Sequence, residues 1–115
     1  MLQFEDLQIE ESILQAVKEI GFEVPTPVQE KVIPVLMSDE MQDIIGLAQT
    51  GTGKTAAFGI PLIQKVNSSS KKIQFLILAP TRELCLQIAD DLKTYSKYKP
   101  QINIVPVFGG SSIER

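Results

Sequence analysis

Apolar positions recur with two different periods along the chain, and the alternation between them sets out the elements. Ile9, Ile13, Leu14, Val17 and Ile20 repeat at helical spacing, and Gly21 supplies a natural left-handed stop. The next segment, 21–29 (GFEVPTPVQ), cannot be regular, because Pro25 and Pro27 lack donors and push their predecessors toward extended geometry. Thr26 followed by Pro27 then predicts an N-cap with proline at the first helical position, opening a helix to about Met37 that Pro34 should kink or split. Residues 43–48 (DIIGLA) and 73–79 (IQFLILA) predict strands buried on both faces, and 102–108 (INIVPVF) a third strand ending at Gly109 and Gly110. Between them the pattern predicts a helix from Lys54 to Val66, a solvated loop at 67–72 (NSSSKK), and a helix capped by Thr81 running to about Tyr98. Strands that alternate with helices imply right-handed crossovers, hence an α/β fold with a parallel sheet covered by helices. Ligands of such sheets bind beyond the carboxyl ends of the strands, where the loops 48–55, 79–82 and 108–110 fall.

Composition narrows this picture little. The 115 residues are one domain's worth of chain, 43% hydrophobic and 22% charged, as in ordinary globular proteins. No apolar run reaches the roughly 18–20 residues of a membrane span, and the acidic N-terminal residues are unlike a secretory signal, so a cytoplasmic protein without membrane contact is expected. Histidine is absent and Cys85 is the one cysteine, which argues against zinc and excludes an internal disulfide. A net charge of -3 speaks against a broad basic face, so any nucleic-acid contact must be local.

The chemistry concentrates in 48–55 (AQTGTGKT), directly after the first apolar strand. A phosphate chain is held most readily by backbone N–H donors at the positive end of a helix. Gly51 and Gly53 let the backbone turn and approach closely, with Gln49, Thr50 and Thr52 completing the loop. Lys54 places a cation on the outer phosphates and the Thr55 hydroxyl is a ligand for magnesium. The loop departs from the strict phosphate-loop pattern only at Ala48, where that pattern has glycine.

Taken together, these segments resemble the DEAD-box ATP-dependent RNA helicases over the whole chain. Residues 21–29 are similar to that family's Q motif, with Phe4 lying 17 positions before Gly21, where the family has an isolated aromatic. Residues 48–55 match its motif I, 80–87 (PTRELCLQ) look like motif Ia, and Gly109-Gly110 like the glycine doublet that follows. The resemblance implies a P-loop, RecA-like sheet with an N-terminal helical Q-motif extension. Its two parts would be residues 1–41 for adenine recognition and 42–115 for part of the first RecA-like domain. It implies ATP and magnesium as cofactors, with Phe4 stacking on the base and Gln29 reading it. A side-chain amide offers a donor and an acceptor together, which suits the N6/N7 edge of adenine and mismatches guanine. It also implies RNA as partner, touched at its backbone by Pro80, Thr81, Arg82, Gly109 and Gly110, contacts that grip without reading sequence. Cys85, where the family has alanine, is expected to be a small core residue and not a nucleophile.

Phosphoryl transfer also needs a carboxylate on magnesium and a group that positions water, and the family's Asp-Glu-Ala-Asp motif does not occur in these 115 residues. Asp39-Glu40 precedes the phosphate loop and reads as a polar turn. The expectation is therefore a piece of such a helicase ending before that motif: Lys54 and Thr55 would serve catalysis in the whole protein, the piece alone would not hydrolyse ATP, and uncovered apolar surface would favour its self-association. Two other readings stay open, a different P-loop ATPase or kinase and a standalone nucleotide-binding module.

Overall fold

The structure, a computed structural model, describes residues 2–39, 43–46 and 53–109. A 3-10 turn at Phe4–Leu7 is followed by α1 (Glu11–Glu19), α2 (Pro27–Met37), α3 (Lys54–Lys65) and α4 (Arg82–Tyr95). Each helix forms where the 3.6-residue pattern places it, and its ends carry the local chemistry that stops it. α1 closes in a left-handed turn at Gly21 (φ +94°), where the Gly21 N–H donates to Lys18 O and the Phe22 N–H to Val17 O, 3.0 Å each. That pair of bonds satisfies two carbonyls the helix end would otherwise leave open. At the start of α2, Thr26 Oγ1 accepts from the Gln29 N–H while Gln29 Oε1 accepts from the Thr26 N–H, with Pro27 at the first helical position. Thr81 caps α4 by accepting from the Leu84 N–H at 3.1 Å.

Two helix boundaries differ from expectation. Pro34 does not split α2, which runs through it as one helix. The proline removes the bond to the Glu30 carbonyl, but Pro34 and Glu30 are both exposed, so water can take that acceptor. α4 ends at Tyr95, three residues early: the Ser96 hydroxyl shares Leu92 O with the Ser96 N–H at 2.9 Å, and the Lys97 N–H donates to Thr94 O in a tight turn at 3.2 Å instead of continuing the helix.

α3 lies at the centre, burying Ala56, Ala57, Gly59, Ile60, Pro61 and Ile63. α2 and α4 pack against it, α1 packs on α4, and the 3-10 turn rests on α2. The shared core holds Phe4, Leu7, Ile13, Val17, Ile33, Ile60, Leu92 and Tyr95. Gly59 lets α3 and α4 approach closely, since a Cβ there would lie 2.6 Å from Leu92 Cδ2. Polar clamps hold the N-terminal turn and α1 onto this layer. Gln64 Nε2 donates to Gln8 O and Gln64 Oε1 accepts from the Glu10 N–H, while Lys97 and Lys99 pair with Glu19 and Glu10 at the two ends of α1. The Lys97 ammonium, with the Tyr98 hydroxyl second, holds the Glu19 carboxyl below the ordinary carboxylate value.

The expected parallel sheet does not form as a hydrogen-bonded ladder: among the described residues there is no strand. The first expected strand, 43–48, is described only over 43–46. Over 76–79 and 102–108 the side chains still alternate, with Ile77, Ile102 and Ile104 packed on the helical core. Their neighbours face outward, Leu78 84% and Val105 75% exposed, and 73–76 are exposed on both sides, Ile73 at 91%. A parallel sheet is held by cover on both faces. The described helices cover one face of these segments, and the apolar side chains of the other remain in solvent.

Candidate functional site

Two groups of residues named from the sequence gather at separate places. The first lies where α2 meets the start of α3. A cavity there is lined by Phe4, Gly21, Phe22, Glu23, Val24, Thr26, Gln29 and Gly53. Gln29 is its most constrained member, a polar side chain only 2% exposed. Besides closing the cap with Thr26, its Nε2 donates to Gly53 O at 3.2 Å, tying the base of α2 to the mouth of α3. Gly53 is held in left-handed geometry (φ +82°), and a Cβ there would lie 2.1 Å from Gln29 Nε2. Only glycine fits both the conformation and the contact.

Gly53 also occupies the N-cap of α3 and offers no side-chain cap, so the first N–H groups of that helix have no side-chain acceptor at their cap. Lys54 is exposed at the first helical position and Thr55 follows it, half-buried. An uncapped helix start beside a lysine and a hydroxyl fits a phosphate chain with its magnesium: positive potential from the helix end, a mobile cation, and a hard oxygen ligand. Gln49, Thr50, Gly51 and Thr52 lie outside the described residues.

Phe4 reaches the cavity from the N-terminal turn, whose position is fixed by the Phe4 N–H donating to Glu23 O at 3.1 Å. Its ring is 1% exposed and stacks on Phe22, centroids 5.5 Å apart and 21° from parallel. Phe4 is thus a core residue that also lines the cavity, and Phe22, half-buried, is the more exposed of the two rings. Reasoning from the sequence passed over Phe22, although it stands inside the same proline-flanked segment as Gln29.

The second group forms at the other end of α4. Pro80, Thr81, Arg82 and Gly109 are all exposed, and the fold brings them together across 27 residues of chain. Arg82 Nη2 donates to Gly109 O at 2.9 Å, and its guanidinium lies 5.0 Å from the centre of the Phe108 ring. The arginine is therefore oriented from two sides before any ligand arrives. Cys85 is half-buried one helical turn further on, its Sγ 3.8 Å from Val107 O. Gly110 lies outside the described residues.

This geometry has close counterparts. A family model described as DEAD/DEAH box helicase matches residues 26–115. The ATP-dependent RNA helicase DeaD of Mycobacterium tuberculosis is 50% identical over 109 residues, 95% of this chain and 19% of the relative. The DEAD-box ATP-dependent RNA helicase CshA of Geobacillus kaustophilus is 44% identical over the whole chain and 24% of its own length. Among solved structures, a DEAD box protein from the hyperthermophile Methanococcus jannaschii superposes with a TM-score of 0.83 at 40% identity, over 97% of this chain and 30% of that one. S. cerevisiae Dbp5 bound to RNA and ADP BeF3 gives a TM-score of 0.79 at 32% identity, over 83% of this chain and 24% of that one. The chain belongs to the DEAD/DEAH box helicase family. It spans about a fifth to a quarter of the length of these curated relatives. Among the described residues, no helix is long and apolar enough to cross a membrane.

Proposed function

We propose that this chain is the nucleotide- and RNA-contacting part of a DEAD-box ATP-dependent RNA helicase. Residues 1–41 recognise adenine, and residues 42–115, part of the first RecA-like domain, hold the phosphates and touch the RNA backbone. The observation that carries this reading is the buried amide of Gln29, bonded to Gly53 at the mouth of α3 and lining the same cavity as Phe4. An amide has two N–H donors and two acceptor lone pairs. Thr26 uses one lone pair and Gly53 one hydrogen, which leaves a donor and an acceptor side by side for the adenine edge. Phe4 and Phe22 supply the apolar wall. The loop 49–53 with Lys54 takes the triphosphate, and Thr55 holds the magnesium that offsets its charge.

Pro80, Thr81, Arg82, Gly109 and Gly110 contact the sugar–phosphate backbone of RNA. The exposed start of α4 and the oriented guanidinium provide local positive potential in a chain of net charge -3. In the whole protein this part couples ATP binding and hydrolysis to remodelling or local unwinding of RNA, without reading base sequence. The 115 residues alone bind nucleotide without turning it over, because the Asp-Glu-Ala-Asp carboxylates are not among them.

Calorimetric titration of the chain with MgATP and MgGTP tests the reading. MgATP should bind at least about tenfold more tightly than MgGTP, the size of one good donor–acceptor mismatch. Lys54→Ala should abolish both. Equal binding of the two nucleotides, or binding indifferent to Lys54→Ala, would sink the proposal. Magnesium-dependent ATP turnover that vanishes in Lys54→Ala would sink the claim of inactivity alone.

A further inference from the structure

The first turn of α4 and the end of the last extended segment meet along one short seam. Arg82 Nη2 donates to Gly109 O at 2.9 Å, the guanidinium carbon of Arg82 lies over the Phe108 ring, 5.0 Å from its centre, and Cys85 Sγ stands 3.8 Å from Val107 O. These contacts differ in what they fix. A hydrogen bond through one nitrogen leaves the planar guanidinium free to swing about that bond, whereas a ring against its central carbon selects where the plane lies. The thiol contact is weak and acts on the backbone of 107, not on the arginine. Of the three, the ring therefore sets the plane of the fork. Among the described residues no carboxylate pairs with Arg82, which is exposed, while Phe108 is half-buried. Gly109 takes one N–H of the guanidinium, and the rest of the fork stays open to an anion. A long side chain held in place beforehand loses less freedom when a phosphate arrives.

We propose that Phe108 is a positioning residue of the RNA-backbone contact: its ring holds the Arg82 guanidinium at the angle from which the fork meets a phosphate. The inference rests on the reading of Pro80, Thr81, Arg82 and Gly109 as a surface for the RNA backbone and deepens it, because it names the residue outside that set through which Arg82 is held. Phe108 acts on RNA only by way of the arginine. The contact is with the face of an aromatic ring, so tyrosine can take the place of phenylalanine there and an aliphatic side chain cannot.

The test follows, by fluorescence anisotropy at low salt, the binding of a short fluorescein-labelled oligouridylate to the full chain and its variants. Phe108→Leu and Phe108→Met should bind about threefold more weakly, the size of one exposed cation–π contact, and Phe108→Tyr should match the parent. Arg82→Ala should bind more weakly still, and its plot of log affinity against log salt should be shallower by roughly 0.7, one phosphate contact on a single strand. In the Arg82→Ala background, Phe108→Leu should weaken binding no further, because the ring has lost the group it positions. A merely structural role would weaken the double variant by both factors. The inference fails if Phe108→Leu binds as the parent does while Arg82→Ala is weakened, if the two losses are additive, or if Phe108→Tyr behaves like Phe108→Leu. Should Phe108→Leu not fold, the methionine variant decides, alone and with Arg82→Ala. A parent chain that does not bind the oligouridylate, or an Arg82→Ala chain that binds it equally well, would instead overturn the reading of this surface as an RNA contact, and the inference with it.

Discussion

The helical layer and the extended segments are built from the same residue types, yet they meet solvent differently. In α1 to α4, Ile13, Ile33 and Ile60 are completely buried, α2 and α4 begin at side-chain caps, and α3 is packed from two sides. In 73–79 and 102–108, Ile73, Leu76, Leu78, Val105 and Val107 stand in solvent, and no ladder bonds form among the described residues. A helix satisfies its own backbone and needs one covered face. A strand of a parallel sheet needs neighbours on both edges and cover on both faces. Hydrophobicity alone therefore does not bury a residue; a partner surface does, and the described residues supply partners for one side of the extended segments only.

The largest effect expected from this comparison separates its two halves directly. Ile60→Ala should cost about 2–5 kcal/mol in denaturant unfolding, as for other fully buried aliphatic side chains. Leu78→Ser, at a position 84% exposed, should cost less than about 0.5 kcal/mol and should reduce self-association in sedimentation velocity. If the two substitutions cost the same, the contrast is wrong.

Next in size is the seam between α3 and α4. Gly59→Ala places a methyl group 2.6 Å from Leu92 Cδ2 and should destabilise by about 1–3 kcal/mol. Adding Leu92→Ala should make the pair of losses clearly less than additive, because the second change vacates the space the first requires. Strict additivity in that double-mutant cycle would mean the helices are not in contact as described. Thr26→Ala, which removes half of the reciprocal cap on α2, should cost about 1 kcal/mol. Nucleotide affinity should change little, because the Thr26 N–H that donates to Gln29 Oε1 is kept.

The smallest effects concern protons. Burial, with the Asp91 carboxylate second, pushes the Tyr95 hydroxyl up to about 12 from its ordinary 10.0. The unfolded chain then ionises first. The contribution of the neutral hydroxyl to stability is complete below pH 10 and is lost as the pH rises toward about 12. Tyr98, raised by its bond to Glu19, acts in the same direction. Stability of Tyr95→Phe should fall less steeply than that of the parent over this range. At the acid end Glu19 has the opposite sign, since its lowered value makes its contribution complete above pH 4.5 and lost as the pH falls further. That pair is exposed, so Glu19→Gln should leave the midpoint of thermal unfolding nearly unchanged at pH 7.

What was legible in advance was local. Gly21 stops α1 in the left-handed region, Thr26 and Thr81 cap their helices, and Pro27 opens α2, because each of these acts on atoms within four residues. The pairing of Gln29 with the phosphate-loop helix was legible only as a resemblance between motifs; the bond from Gln29 Nε2 to Gly53 O spans 24 residues and gives that resemblance a geometry. Phe4 was expected as a stacking surface for a base and is a buried ring that lines the cavity, stacked on a phenylalanine that the pattern did not single out. Pro34 was expected to kink or split α2 and does not split it, because exposure of the freed carbonyl was invisible in the linear order.

The amino-acid order by itself determined where helices begin, which segments are extended, and which loop suits a phosphate chain; adenine and RNA contacts entered only through the family resemblance. The former follow from short-range sterics, from donors and acceptors along one stretch of chain, and from the period of apolar side chains. Only the tertiary structure decided that Tyr95 packs against Phe22, that Arg82 is held by Gly109 and Phe108, and that one face of the extended segments is uncovered by the described residues. Those depend on which surfaces meet across tens of residues, and a contact between two surfaces is a property of neither one alone.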